Sequence, residues 1–169
     1  MAVLDVLTYP DERLKQIAEP VIEIDSDVQT FLEDLEETLN QAPGCVGIAA
    51  PQVGVMLRIV MVDVSSKPKL KNHGRLTLVN PEITRWDGFE IGREGCLSVP
   101  DYTGNVVRAS QIELEALDQN GQHCRYEMEG YEARVVQHEL DHLDGLLFLD
   151  RLVSRRSDLF KRKKYKQKK

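Results

Sequence analysis

Between Asp25 and Leu39 the chain places Val28, Phe31, Leu32, Leu35 and Leu39 three or four residues apart, with Glu and Asp between them. That spacing sets the five on one stripe of an α-helix, and Asp25-Ser26-Asp27 supplies N-cap candidates ahead of it. Ala133, Val136, Leu140 and Leu143 repeat the pattern and predict a second helix, which Gly145 stops. Val3, Val6 and Leu7 precede Tyr9-Pro10, and Pro10-Asp11-Glu12 reads as a turn into a short helix through Leu14 and Ile17 that Pro20 closes. Residues 57–63 are apolar and branched, which predicts a buried strand, and residues 76–80 predict another before Pro81. Residues 83–92 are expected to form a hairpin around Asp87-Gly88. Residues 112–117 and 123–128 flank Gln119-Asn120-Gly121, a strong hairpin signal, with Ile112, Leu114 and Ala116 turned to the core.

Strands in succession, followed by a helix, point to an α+β fold in which antiparallel strands pack around a central helix. At 169 residues the chain suits one domain with a core large enough to stand without disulfides. Its three cysteines are odd in number and irregularly spaced, which argues for a reducing compartment. It carries no apolar run of membrane-spanning length, no signal-like leader, no internal repeat, no Rossmann glycine pattern and no P-loop, so a soluble cytoplasmic protein is expected, with neither membrane nor DNA as a partner.

Charge is divided unevenly along the chain. Residues 151–169 hold ten Lys or Arg and one acid, a net of +9, which leaves −15 on residues 1–150. The expectation is therefore a single catalytic domain over residues 1–150 and a basic extension over 151–169, helical or partly disordered, that could meet a polyanion such as RNA. A solvated charge run on a fraying helix fits the same residues equally well.

The candidate chemistry lies on the second helix, in Gln137-His138-Glu139-Leu140-Asp141-His142. His138 and His142 fall one turn apart on one face and can reach a single metal ion, while the carboxylate next to the first histidine, Glu139, is placed to handle protons. Cys96, in Glu94-Gly95-Cys96-Leu97-Ser98, is the third candidate ligand. Two imidazoles and one thiolate leave a fourth position open, which distinguishes a catalytic site from a closed structural one. Zinc, iron, nickel and cobalt all suit such a donor set. His73 sits in a polar loop over residues 65–74, and His123 and Cys124 read as ordinary strand residues. The run Cys45-Val46-Gly47-Ile48-Ala49-Ala50-Pro51-Gln52 fits either a wall for a ligand or a tight turn packed on the core.

In order and spacing, Val46-Gly47-Ile48-Ala49-Ala50-Pro51-Gln52, Glu94-Gly95-Cys96-Leu97-Ser98 and Gln137-His138-Glu139-Leu140-Asp141-His142 resemble the three signature motifs of the peptide deformylases. Alignable features run from Tyr9-Pro10 through Leu147-Phe148. The resemblance implies a metal-dependent hydrolase that removes the formyl group from the N-terminal formylmethionine of new polypeptides in the bacterial cytoplasm. It implies that Cys96, His138 and His142 hold the metal, natively iron(II), with zinc, nickel or cobalt as substitutes. It implies that Glu139 is general base and acid, that Gln52 and the backbone N–H of Leu97 bind the oxyanion, and that the backbone of Gly47 positions the peptide. Val46 and Val135 are the candidates for the methionine slot, and plain core positions are equally consistent with them. In some deformylases a C-terminal extension docks on ribosomal RNA, which residues 161–169 could also do.

The chain departs from the family pattern in two places. Cys45 stands where the first motif commonly has glycine, and Tyr131, Glu132 and Arg134 replace residues that are often apolar, which implies a more polar methionine slot or rim. Two rival readings are an H-E-x-x-H peptidase cutting internal bonds, against which the upstream Cys96 argues, and a non-enzymatic RNA- or ribosome-binding protein with a structural metal knot, against which the open position and Glu139 argue.

Overall fold

A computed structural model describes residues 2–67, 69 and 71–162. The first helix, α1 (Ser26–Gln41), starts where expected: the Asp25 carboxylate caps it by accepting the Val28 N–H at 2.9 Å. Its stripe buries Leu32, Leu35 and Leu39 against Ile48, Ala50, Ile59, Met61 and Val79.

Those partners lie on one face of a five-stranded antiparallel sheet in the order β1 (Gly47–Ala49), β2 (Ile59–Val62), β3 (Leu76–Asp87), β6 (Gln111–Leu117), β7 (His123–Glu129). The other face carries Val60, Val62, Leu78, Leu114 and Ala116 and packs on Ala133, Val136, Leu140 and Leu143 of α2 (Gly130–Leu143). Side chains alternate across a strand, so β2 presents Ile59 and Met61 to α1 and Val60 and Val62 to α2. Covering both faces is why its sequence is continuously apolar. The 112–117/123–128 hairpin forms as expected, with Leu117 opposite His123.

A second sheet in the order β4 (Glu90–Cys96), β5 (Val99–Arg108), β8 (Leu159–Lys161) lies on the far side of α2. Its cluster of Cys96, Val99 and Val106 closes on Leu147, Phe148 and Leu149 of the segment that leaves α2. The helix therefore runs between two sheets, and every residue from Glu132 to Leu143 is buried. The α+β architecture around a central helix matches the expectation, but a single apolar stripe understates how completely α2 is enclosed.

Other expectations are corrected. The chain does turn at Gly88, which has a φ of 64°, yet residues 83–92 are not a hairpin. β3 pairs with β6 while β4 pairs with β5, so the turn carries the chain from one sheet to the other. β3 also continues through Pro81: Asn80 takes a left-handed φ of 52° at a bulge and exchanges hydrogen bonds with the Val21 backbone, which removes Pro81 from the regular ladder. The short N-terminal helix covers only Glu12–Lys15, burying Leu14 and leaving Ile17 exposed. Residues 2–9 are extended without joining a sheet. The Leu7 N–H donates to the Gln52 carbonyl at 2.7 Å and the Tyr9 N–H to the Ser98 carbonyl at 2.7 Å.

Beyond residue 150 the chain stays in contact with the body. Arg151 binds Asp141 of α2, and α3 (Arg155–Asp158) is a single turn. β8 then pairs Leu159 with Gly104 and Phe160 with Thr103. Leu159 and Phe160 are apolar and extend the open edge of β5, so within the extension a helical turn at Arg155–Asp158 is followed by a short strand. The rest of the basic run, residues 163–169, lies outside the described residues. No helix among the described residues is long and apolar enough to cross a membrane.

Candidate metal centre

Cys96 ends β4 at the sharp turn into β5, and His138 and His142 project from the buried face of α2 beneath it. One ligating atom from each lies within 4.8 Å of the other two, and Cys96 Sγ is 3.4 Å from His142 Nε2. A tetrahedral ion with metal–sulfur and metal–nitrogen bonds of roughly 2.3 and 2.1 Å needs ligand separations of about 3.6 Å. The Cys96–His142 separation is close to that requirement, and the remaining two lie within 4.8 Å.

The first histidine is fixed by its other nitrogen. Glu94 sits two residues before Cys96 and accepts from His138 Nδ1 at 2.8 Å; an ionised carboxylate only accepts, so Nδ1 carries the proton and Nε2 presents its lone pair to the cluster. Glu139 Oε1 has no hydrogen-bond partner among the described residues, although Glu139 is 4 % exposed, and it lies 3.8 Å from His142 Nε2. A buried, unpaired carboxylate oxygen beside three soft or neutral donors is costly by itself and fits a cationic centre that holds water. Burial pushes the Glu139 carboxyl up to about 7, where it can both take and give a proton near neutrality.

The small-residue run lies directly against this carboxylate. A Cβ at Gly47 would come 2.5 Å from Glu139 Oε2 and 3.1 Å from its Cγ and Cδ, so glycine leaves the space that this carboxylate occupies. Both readings of this run hold in part: Cys45, Val46, Gly47 and Gln52 border the cleft, while Ile48, Ala49 and Ala50 pack into the core. The Gln52 amide is oriented by its own oxygen: Oε1 accepts the Ala49 N–H at 2.9 Å, which turns Nε2 toward Ser98 Oγ at 3.0 Å and Cys96 Sγ at 3.4 Å. Cys45 causes no distortion at the first glycine position, because Gly44, with a φ of 71°, absorbs the left-handed turn. The Cys45 thiol donates to the Gly47 carbonyl at 3.0 Å and is pushed up to about 11 by burial, so it stays protonated.

These groups surround a cleft of about 250 Å³, whose lining includes Val46, Gly47, Gln52, Cys96, Leu97, Val135, His138 and Glu139. Tyr131 and Arg134 also line it, so the cleft wall is more polar there, as the departures implied. Glu132 does not. It is turned to the other side of α2, where His73 Nδ1 bonds its carboxylate at 2.6 Å. His73 is thus occupied away from the metal ligands.

Sequence reasoning missed the charged network behind the ligands. Arg108 donates to both oxygens of Glu94, each at 2.9 Å, and its third contact is Asp141 of α2, which Arg151 also binds at 2.8 Å. Arg134 adds bonds to Glu94 at 2.7 Å and to the carbonyls of Val106 and Glu90. Burial alone would raise the Glu94 carboxyl, but Arg108 and His138 hold it below the usual carboxylate range. Asp141 inside an otherwise buried helix, and Glu94 beside Cys96, were signals that a cation must lie between them; nothing local marked Arg108 as that cation.

Replacing Arg108 by Ala leaves Glu94 and Asp141 buried without their shared guanidinium. A loss of about 3–5 kcal/mol in stability is expected from urea unfolding, together with roughly 10- to 100-fold weaker metal retention as the His138 ring loses its orientation. An Arg108→Ala chain with unchanged midpoint and metal content would show that the network does neither.

Comparison with known proteins agrees with this geometry along nearly the whole chain. The family model for polypeptide deformylase matches residues 3–158. A peptide deformylase of Thermodesulfovibrio yellowstonii is 44% identical over 169 residues, covering 100% of both chains, and one of Alkalilimnicola ehrlichii is 45% identical over 96% of this chain and 89% of its own. The crystal structure of a peptide deformylase from Legionella pneumophila superposes with a TM-score of 0.82 at 42% identity, covering 89% of this chain and 86% of that one. With sequence, fold and ligand set in agreement, the chain belongs to the polypeptide deformylase family.

Proposed function

We infer that this chain hydrolyses the N-formyl group of the N-terminal formylmethionine of newly synthesised polypeptides, giving formate and a free methionyl N-terminus. The observation that carries the reading is the convergence of Cys96, His138 and His142 on one point beside the unpaired Glu139 carboxylate. A divalent ion held by the three ligands supplies Lewis acidity and makes a nucleophile available near neutral pH. Glu139 takes the proton of the attacking water and returns one to the leaving amine. Gln52 Nε2 and the Leu97 N–H donate to the oxyanion that develops on the formyl oxygen, and one such donor is typically worth about 3 kcal/mol in the barrier.

The peptide lies extended along β1. That strand is last in its sheet, pairs only with β2, and borders the cleft through Val46 and Gly47, so its outer edge can add a further strand. Val46 and Val135 contact the methionine side chain. The reduced thiolate suits the cytoplasm.

In the assay that tests this reading, the metal-loaded chain releases formate from formyl-Met-Ala-Ser and leaves an unformylated internal peptide intact. Glu139→Ala keeps its metal and loses on the order of 10²–10⁴-fold in turnover; full turnover by that variant would leave the site a structural knot. For the native ion we propose iron(II), since a thiolate with two imidazoles accepts it and the family commonly uses it. Anaerobically prepared protein whose activity tracks zinc and ignores iron would oppose that choice. We also propose that residues 161–169 contact ribosomal RNA. Removing them should weaken ribosome binding in a salt-dependent manner and spare turnover of the free tripeptide; equal ribosome affinity with and without them would end the idea.

A further inference from the structure

One part of the cleft has no place in the chemistry above. Three guanidinium groups line it, from Arg93, Arg134 and Arg162, against two carboxylates, Glu94 and Glu139. Arg134 is buried and committed to Glu94. Arg93 and Arg162 are exposed, and among the described residues neither meets a carboxylate. The Arg93 side chain bonds only the neutral Asn105 at 3.1 Å and Thr103 at 3.4 Å, with its guanidinium 3.7 Å from the centre of the Phe160 ring. Arg162 follows β8, and its backbone N–H donates to the Asp101 carbonyl at 2.9 Å. Its guanidinium lies across Gly95, where a Cβ would come 2.5 Å from Nη2. Gly95 directly precedes the ligand Cys96.

Both arginines are held in place by packing. β8 pairs with β5, Phe160 supports Arg93 from beneath, and the missing side chain at Gly95 admits Arg162. The result is a pair of uncompensated positive charges at the cleft, on a body that carries −15 over residues 1–150. In sequence the pair is followed by Lys163, Lys164, Lys166, Lys168 and Lys169. A formylated peptide extended from the reaction centre advances about 3.3 Å per residue, so its second and third side chains pass within reach of a group seated one residue from Cys96.

We propose that Arg93 and Arg162 form a subsite that selects formylated peptides bearing a carboxylate side chain at the second or third position. This rests on the deformylase reading and adds to it a preference beyond formylmethionine. The arginines are specificity-determining groups and take no part in bond breaking, so the preference resides in KM and is screened by salt.

The test uses the full-length, metal-loaded chain and C-terminally amidated peptides, which removes the terminal carboxylate as a competing anion. At low ionic strength kcat/KM for formyl-Met-Ala-Asp-amide and formyl-Met-Asp-Ala-amide should exceed that of the matching Lys peptides by about fivefold, mostly through KM, and the ratio should shrink at 0.5 M salt, where the screening length is roughly 4 Å. A double substitution, Arg93→Gln with Arg162→Gln, should bring the ratio close to one, and Arg93→Lys with Arg162→Lys should restore part of it. Equal rates for Asp and Lys peptides in the native chain, or an Asp preference that survives the Gln substitutions, overturn the subsite while hydrolysis of formyl-Met-Ala-Ser upholds the activity. Failure to cleave any formylated peptide overturns both.

Discussion

Helix α2 places ionisable side chains in the centre of the molecule, and their compensation governs the rest of the structure. Glu132, Arg134, His138, Glu139, Asp141 and His142 are all less than a tenth exposed on this one helix. An isolated charge at such depth would cost several kcal/mol or more. The molecule meets the cost by supplying partners from both sides: Glu94 and Arg108 from the three-stranded sheet, a hydrogen bond with His73 in the loop before β3, and Arg151 from the segment that follows the helix. Among the described residues Glu139 Oε1 and His142 Nδ1 have no hydrogen-bond partner, and Glu139 Oε1 lies beside the donor cluster, 3.8 Å from His142 Nε2.

This arrangement explains why two sheets are needed where one would bury the helix. The five-stranded sheet takes the apolar face of α2 and holds β1 against Glu139 through Gly47. The three-stranded sheet takes the opposite face and delivers Cys96 at the end of a strand whose register is set by its pairing with β5. The cleft is the gap left between the edge of the first sheet and the β4–β5 turn of the second. A site built at such a junction can combine a rigid helix that carries two imidazoles, a strand terminus that carries a thiol and a strand edge that borders the cleft.

Much of this could be read from local pattern. The cap at Asp25, the stripe of α1, the doubly covered β2 and the Asn120-Gly121 hairpin depend on residues close in sequence, and so do the one-turn spacing of His138 and His142 and the Gly145 stop. What escaped depends on surfaces that meet only in three dimensions. The turn at Gly88 has hairpin chemistry, but the identity of the strand beside β4 is decided by which face of α2 remains uncovered. Arg108 meets Glu94 and Asp141 across 14 and 33 residues, so no spacing rule announces it. Charge marked residues 151–169 as a separate extension, while the apolar pair Leu159 and Phe160 was enough to add a strand to β5. Cys45 stood out because it occupies a position where the family motif commonly has glycine, while the positive φ is taken by its neighbour Gly44.

The extended N-terminal segment bears on the order in which the site can be assembled. Leu7 holds the backbone of Gln52, and Tyr9 holds the Ser98 carbonyl at the turn beside Cys96. Leu7 finds its anchor only once the chain extends past Gln52 and Tyr9 only once it extends past Ser98, and such long-range contacts close slowly because loop entropy must be overcome first. The Gln52 backbone and the turn beside Cys96 are therefore braced by contacts that close late, from a segment remote in sequence.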